Sequence, residues 1–65
     1  MKDYNKQGID FSQYTILIVD DIPSNVMLVE VMLSPYKFNI LKATGGREAL
    51  EMAVSCRPNI ILLDI

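Results

Sequence analysis

Three carboxylates in this chain stand directly behind runs of apolar residues. Asp20 and Asp21 follow Thr15–Val19 (TILIV), and Asp64 follows Ile60–Leu63 (IILL). Unbroken apolar runs of this kind read as strands covered on both faces. The spacing predicts that the two strands lie side by side and bring the three acids to one edge of one sheet. Carboxylates a few ångströms apart repel one another, so one takes up a proton or a cation holds them together. With oxygen ligands alone, and no nitrogen or sulfur nearby, the cation that fits is Mg2+ or Mn2+ rather than zinc. Mg2+ typically keeps several waters and takes one or two protein carboxylates plus phosphate oxygens, which leaves one acid for chemistry. An aspartate can attack phosphorus to form an acyl phosphate while the metal neutralises the developing charge.

A plainer reading stands beside this one. Acids at strand ends also serve as solvated loop residues or as helix N-caps, and Asp21 in particular could simply cap the helix that follows. Asn25, four residues after Asp21, reads as an ordinary first-turn residue.

The elements that must position these acids alternate regularly. The polar N-terminal segment, 1–13, reads as a flexible leader, with Met1 to Gly8 expected to be mobile. Within it, the strand-like spacing of Ile9 and Phe11 reads as accidental. The domain proper spans 14–65. After the first strand, Pro23 suits the first turn of a helix, which runs to about Leu33 and is stopped by Pro35. That helix is apolar nearly all round, a pattern that calls for more than one neighbour. Phe38–Ala43 reads as an edge strand because of Asn39 and Lys42, and Thr44 reads as a possible N-cap. A second helix follows from about Gly46 to Cys56, with Ala49, Leu50, Ala53 and Val54 at core spacing and Arg47, Glu48 and Glu51 facing water. The third strand begins at Asn59 or Ile60. The order βαβαβ predicts an α/β fold: a three-stranded parallel sheet of order 2-1-3 with right-handed crossovers and helices on both faces. In such sheets ligands bind beyond the carboxyl ends of the strands, at the switch between strands one and three.

Composition narrows the function further. At 65 residues the chain is at most one small domain, with 51% apolar and 22% charged residues and a formal charge of −2. The scattered lysines and arginines give no footprint for nucleic acid or an anionic membrane. One cysteine, Cys56, and no histidine exclude an internal disulfide, a Cys/His metal cluster and a serine–histidine pair; Cys56 reads as a small apolar helix residue. With no h-region and no long apolar run, the expected compartment is the cytoplasm.

Three motifs, ILIVDDIPSN, ATGGREALE and PNIILLDI, occur in this order, and together they resemble the first half of a response-regulator receiver domain of two-component signalling. The resemblance covers about Tyr14 to Ile65 and implies a flavodoxin-like fold. It implies that Asp20 and Asp21 are the acidic pair that holds Mg2+, Asp21 directly and Asp20 through water. Asp64 would contribute to the same metal site and would be the phosphoacceptor, taking a phosphoryl group from the phosphohistidine of a sensor kinase or phosphotransfer protein. Such a module accepts a phosphoryl group rather than acting as an enzyme.

A receiver domain continues well beyond the residue that corresponds to Asp64. The later groups absent here are a backbone carbonyl at the metal, a Ser or Thr, a Lys and a switch aromatic. The expectation is therefore a truncated receiver fold that is not signalling-competent as it stands. Its bare third strand and under-covered first helix predict a homo-oligomer or swapped assembly.

Three other readings compete. One is a self-associating fragment without chemistry. Another is a Mg2+-dependent phosphotransferase with an aspartate nucleophile, although such enzymes place two acids two residues apart and Ile22 is apolar where the second would stand. The last, dinucleotide binding, is set aside because Asp20 to Asn25 contains no glycine.

Overall fold

A computed structural model describes residues 10–63. Strand β1 (Thr15–Val19) lies at the centre of a parallel sheet, with β2 (Asn39–Ala43) on one side and β3 (Ile60–Leu63) on the other. This is the expected 2-1-3 order. Leu17 is the register partner of both Leu41 and Ile61, and it is completely buried.

The unbroken apolar run of β1 is explained by its two covered faces. Leu17 and Val19 pack with Ala43 and Ala49, backed by Leu41 and Met52, beneath helix α2 (Gly46–Cys56). Ile16 and Ile18 face the other way, onto Val26, Val29 and Leu33 of helix α1 (Pro23–Leu33), with Phe38 and Ile40 alongside. The helices therefore cover opposite faces, the arrangement of the first three strands of a flavodoxin-like α/β fold.

Both helices keep the boundaries expected of them, and their surroundings refine the rest. Past Leu33 the chain does not open out at Pro35; it makes one 3₁₀ turn, Ser34–Tyr36. Lys37 then reverses it in the left-handed region at φ 64°. The strand consequently starts at Asn39, one residue later than Phe38. Among the described residues helix α1 packs mainly on the sheet, with Val26 buried while Met27, Leu28, Val31 and Met32 are 60–65% exposed. On α2 the inward stripe is Ala49, Met52 and Ala53. Leu50 and Val54, expected on that stripe, lie exposed beside it.

Two pairs of hydrogen bonds set the strand starts. Thr15 N–H donates to Asn59 Oδ1 and Asn59 N–H donates to Thr15 O, both at 2.8 Å. On the other side Asn39 N–H donates to Tyr14 O at 3.0 Å and Asn39 Nδ2 to Thr15 Oγ1 at 3.1 Å. Phe11, read from sequence as accidental, docks here. Its N–H donates to Tyr36 O at 3.1 Å, and its ring stacks on Phe38 with centroids 5.1 Å apart. Ile9, the other half of that pair, and Met1 to Gly8 lie outside the described residues.

Among the described residues strand β3 pairs only with β1, and all four of its residues are 39–60% exposed. Its outer edge is uncovered by any described residue. Among the described residues no helix is long and apolar enough to cross a membrane.

Candidate functional site

Asp20 follows directly on β1. Its N–H donates to Ala43 O at 3.1 Å, and Ala43 is the partner of Val19 in the last register pair with β2. Asp20 is only 7% exposed, and its Oδ1 accepts the Ile22 N–H at 2.9 Å. That bond turns the chain from strand into α1 and fixes the carboxylate at the strand end. It also answers the capping alternative: the N-cap residue of α1 is Ile22, with no side-chain cap bond, and the carboxylate that serves this turn belongs to Asp20 rather than Asp21. Asp21 is exposed to solvent, one residue further along. Asn25 is an ordinary first-turn residue whose N–H donates to Ile22 O at 3.0 Å.

The two acids share a cleft of about 320 Å³ with Val19, Thr44, Gly45, Gly46 and Leu63. It lies at the carboxyl ends of the strands, where α/β sheets bind ligands. Leu63, the register partner of Val19, is the last described residue of β3. Asp64 follows it in sequence and lies outside the described residues. Among the described residues no group of three or more His, Cys, Asp or Glu could hold a metal ion. Asp20 and Asp21 are therefore the described part of the predicted acidic set, brought to one cleft by one strand end. Their donor chemistry is all carboxylate oxygen, the type that hard divalent cations take.

Thr44, which lines the cleft, is held by Glu48, a residue that is exposed as its place in the sequence implied. Glu48 Oε1 accepts Thr44 N–H at 2.8 Å and Thr44 Oγ1 at 3.2 Å. The N-cap residue of α2 is Gly45, not Thr44. A capping box closes an acid at the third helical position onto the N-cap residue itself; here the acid reaches one residue further back. The spacing Thr-Gly-Gly-Arg-Glu carries this signal, offset by one from the usual pattern.

A parallel α/β unit with an acidic strand end defines a broad class, and comparison with known proteins narrows it. The chain is 46% identical over 50 residues to the response regulator PleD of Caulobacter vibrioides, covering 77% of this chain and 11% of that protein. It is 43% identical over 56 residues to a probable cyclic di-GMP phosphodiesterase of Vibrio cholerae, covering 86% of this chain and 12% of that protein. Protein PilH of Pseudomonas aeruginosa is 36% identical over 50 residues, covering 77% of this chain and 41% of PilH. The chain thus spans less than half the length of each of these relatives. No protein-family profile matches the chain, and no solved structure matches it. The chain is homologous to response regulators that carry receiver domains, and its small parallel fold agrees with the first part of such a domain.

Proposed function

We propose that these residues form the phosphoacceptor part of a response-regulator receiver module, with Asp64 as the acceptor and Asp20 and Asp21 as the acids that hold Mg2+. The observation that carries this reading is the joint presence of Asp20, Asp21 and Leu63 in one cleft at the strand ends, in a chain homologous to PleD. Asp64 is the next residue after Leu63. Bound Mg2+ would offset the negative charge that builds up on the phosphoryl oxygens.

The reaction needs little from the protein beyond placement. A carboxylate oxygen of Asp64 bonds to phosphorus as the P–N bond of the donor phosphohistidine breaks. The electron pair returns to the imidazole, which takes up a proton. Asp20, fixed by Ile22 N–H, presents its charge from a buried position, while Asp21 offers an exposed one. The partner in this reading is a sensor histidine kinase or a phosphotransfer protein, and the compartment is the cytoplasm.

Incubation of the chain with Mg2+ and a small phosphoramidate donor tests the reading. Intact mass is expected to rise by one phosphoryl group, with the rise abolished in Asp64→Asn and by chelation of Mg2+. A wild-type chain that takes up nothing, or an Asp64→Asn chain that takes up as much, overturns it.

One observation favours a second property. The four apolar residues of β3 are exposed along an edge that no described strand pairs, and such an edge is a template for another strand. We propose that isolated chains associate through β3, either as a homo-oligomer or by swapping. Sedimentation equilibrium is expected to show concentration-dependent association that Leu62→Lys suppresses. A wild-type chain that stays monomeric at high concentration counts against it.

A further inference from the structure

We infer that Glu48 is a positioning residue for the carboxylate cleft: by tethering Thr44 it fixes the loop from β2 to α2, which lines the cleft beside Asp20 and Asp21. The role rests on the phosphoacceptor reading above. Its evidence is a continuous line of bonds. Glu48 holds Thr44 through both the backbone N–H and the hydroxyl. Ala43, bonded to Thr44 in the chain, accepts the Asp20 N–H. Asp20 in turn accepts the Ile22 N–H. The line therefore runs from α2, across the end of β2, to the acids at the end of β1.

Besides this tether, Ala49 N–H donates to Gly45 O at 2.9 Å at the start of α2. A Cβ added at Gly45 or Gly46 would meet no atom within 4 Å, so open space lies beside these two residues of the cleft wall, and Thr44 depends on Glu48 for its side-chain bond. Release of Thr44 would free that wall and, one residue away, loosen the Ala43 carbonyl that anchors the Asp20 amide. The acceptor is a charged carboxylate, which strengthens each bond, although the pair is exposed and water weakens that advantage.

The test compares the wild-type chain with Glu48→Ala, Glu48→Gln and Glu51→Ala by two measurements. The first is amide hydrogen exchange at Asp20 without Mg2+, referred to exchange at Leu17. The second is the initial rate of phosphoryl uptake with Mg2+. Glu48→Ala is expected to speed Asp20 exchange and to slow uptake, each by roughly fivefold, on the scale of a partly screened charge-assisted hydrogen bond. Glu48→Gln keeps an acceptor oxygen and should stay within about twofold of wild type in both. Glu51→Ala, an exposed change on the same helix, should match wild type. If Asp20 exchange in Glu48→Ala rises no more than in Glu51→Ala, the tether does not reach the site and the proposal is overturned. If exchange rises while uptake keeps its wild-type rate, the positioning role alone is overturned. A wild-type chain that takes up no phosphoryl group defeats the phosphoacceptor reading, and this role with it.

Discussion

Replacing Asp20 by alanine removes the bond that starts helix α1, and the structure sets the size of the effect. Asp20 Oδ1 accepts the Ile22 N–H at 2.9 Å from a residue only 7% exposed, and α1 has no side-chain cap to replace it. Loss of a hydrogen bond to a charged group costs about 1.5–3 kcal/mol, and loss of a helix cap about 0.5–2 kcal/mol. Ile22 is half exposed, so water can recover part of its N–H, and about 1.5 kcal/mol is the expected loss. Relief of repulsion with the neighbouring Asp21 acts in the other direction. That acid is exposed, so the screened relief stays below ~1 kcal/mol and the hydrogen bond decides the sign. At roughly 0.05–0.15 kcal/mol per residue a chain of this length has a stability of only about 3–10 kcal/mol. Urea unfolding followed by far-UV circular dichroism, with a slope near 1 kcal/mol/M, should show the midpoint falling by about 1.5 M. Asp20→Asn keeps an acceptor in the same place and should lose less than half as much. An alanine variant that melts with wild type, or an asparagine variant that melts as low as alanine, would refute the reasoning.

Other perturbations test the parts that hold the site in place. Leu17→Ala truncates the one large side chain that is completely buried among the described residues and should cost about 2–5 kcal/mol, enough to abolish cooperative urea unfolding in so small a domain. Asn59→Ala removes the acceptor of the Thr15 N–H at 2.8 Å and should cost about 1 kcal/mol, with amide protection falling in β3 before β2. Asp10 is held below the usual carboxylate range by hydrogen bonds from the Ser12 side chain and then its backbone N–H. Its small contribution is present above the unfolded-state pKa, about 3.9, and is lost as pH falls through the lowered folded value. A carbon-13 titration of Asp10 should therefore return toward the ordinary carboxylate range in Ser12→Ala.

The sheet was legible because its signals are local and redundant. The TILIV run could be satisfied only by a strand covered on both faces, and Ile16 to Val19 are buried in that way. Pro23 and Pro35 marked the limits of α1 by backbone constraint, and both α1 and α2 run between the residues expected. The misread features depend on what lies across the fold. Leu50 and Val54 have helical spacing like Ala49 and Ala53, yet the sheet covers the stripe that includes Met52, a choice set by rotation of the helix against its neighbour. Phe11 looked accidental because its partners, Tyr36 and Phe38, lie far along the sequence.

The placement of Asp20 and Asp21 at the strand end was legible from their position after β1. Their division into a buried, hydrogen-bonded acid and an exposed one was not, because it depends on the Ile22 amide. Glu48 was hidden by reaching a residue one position before the usual capping partner.

The most direct measurement asks where the phosphoryl group sits. After incubation with Mg2+ and the phosphoramidate donor, borohydride reduction converts an aspartyl phosphate to homoserine, and peptide mass spectrometry locates it. The account predicts homoserine at position 64, with Asp20 and Asp21 unchanged. Homoserine at 20 or 21, or a reduction-resistant phosphate on a hydroxyl such as that of Thr44, would contradict it.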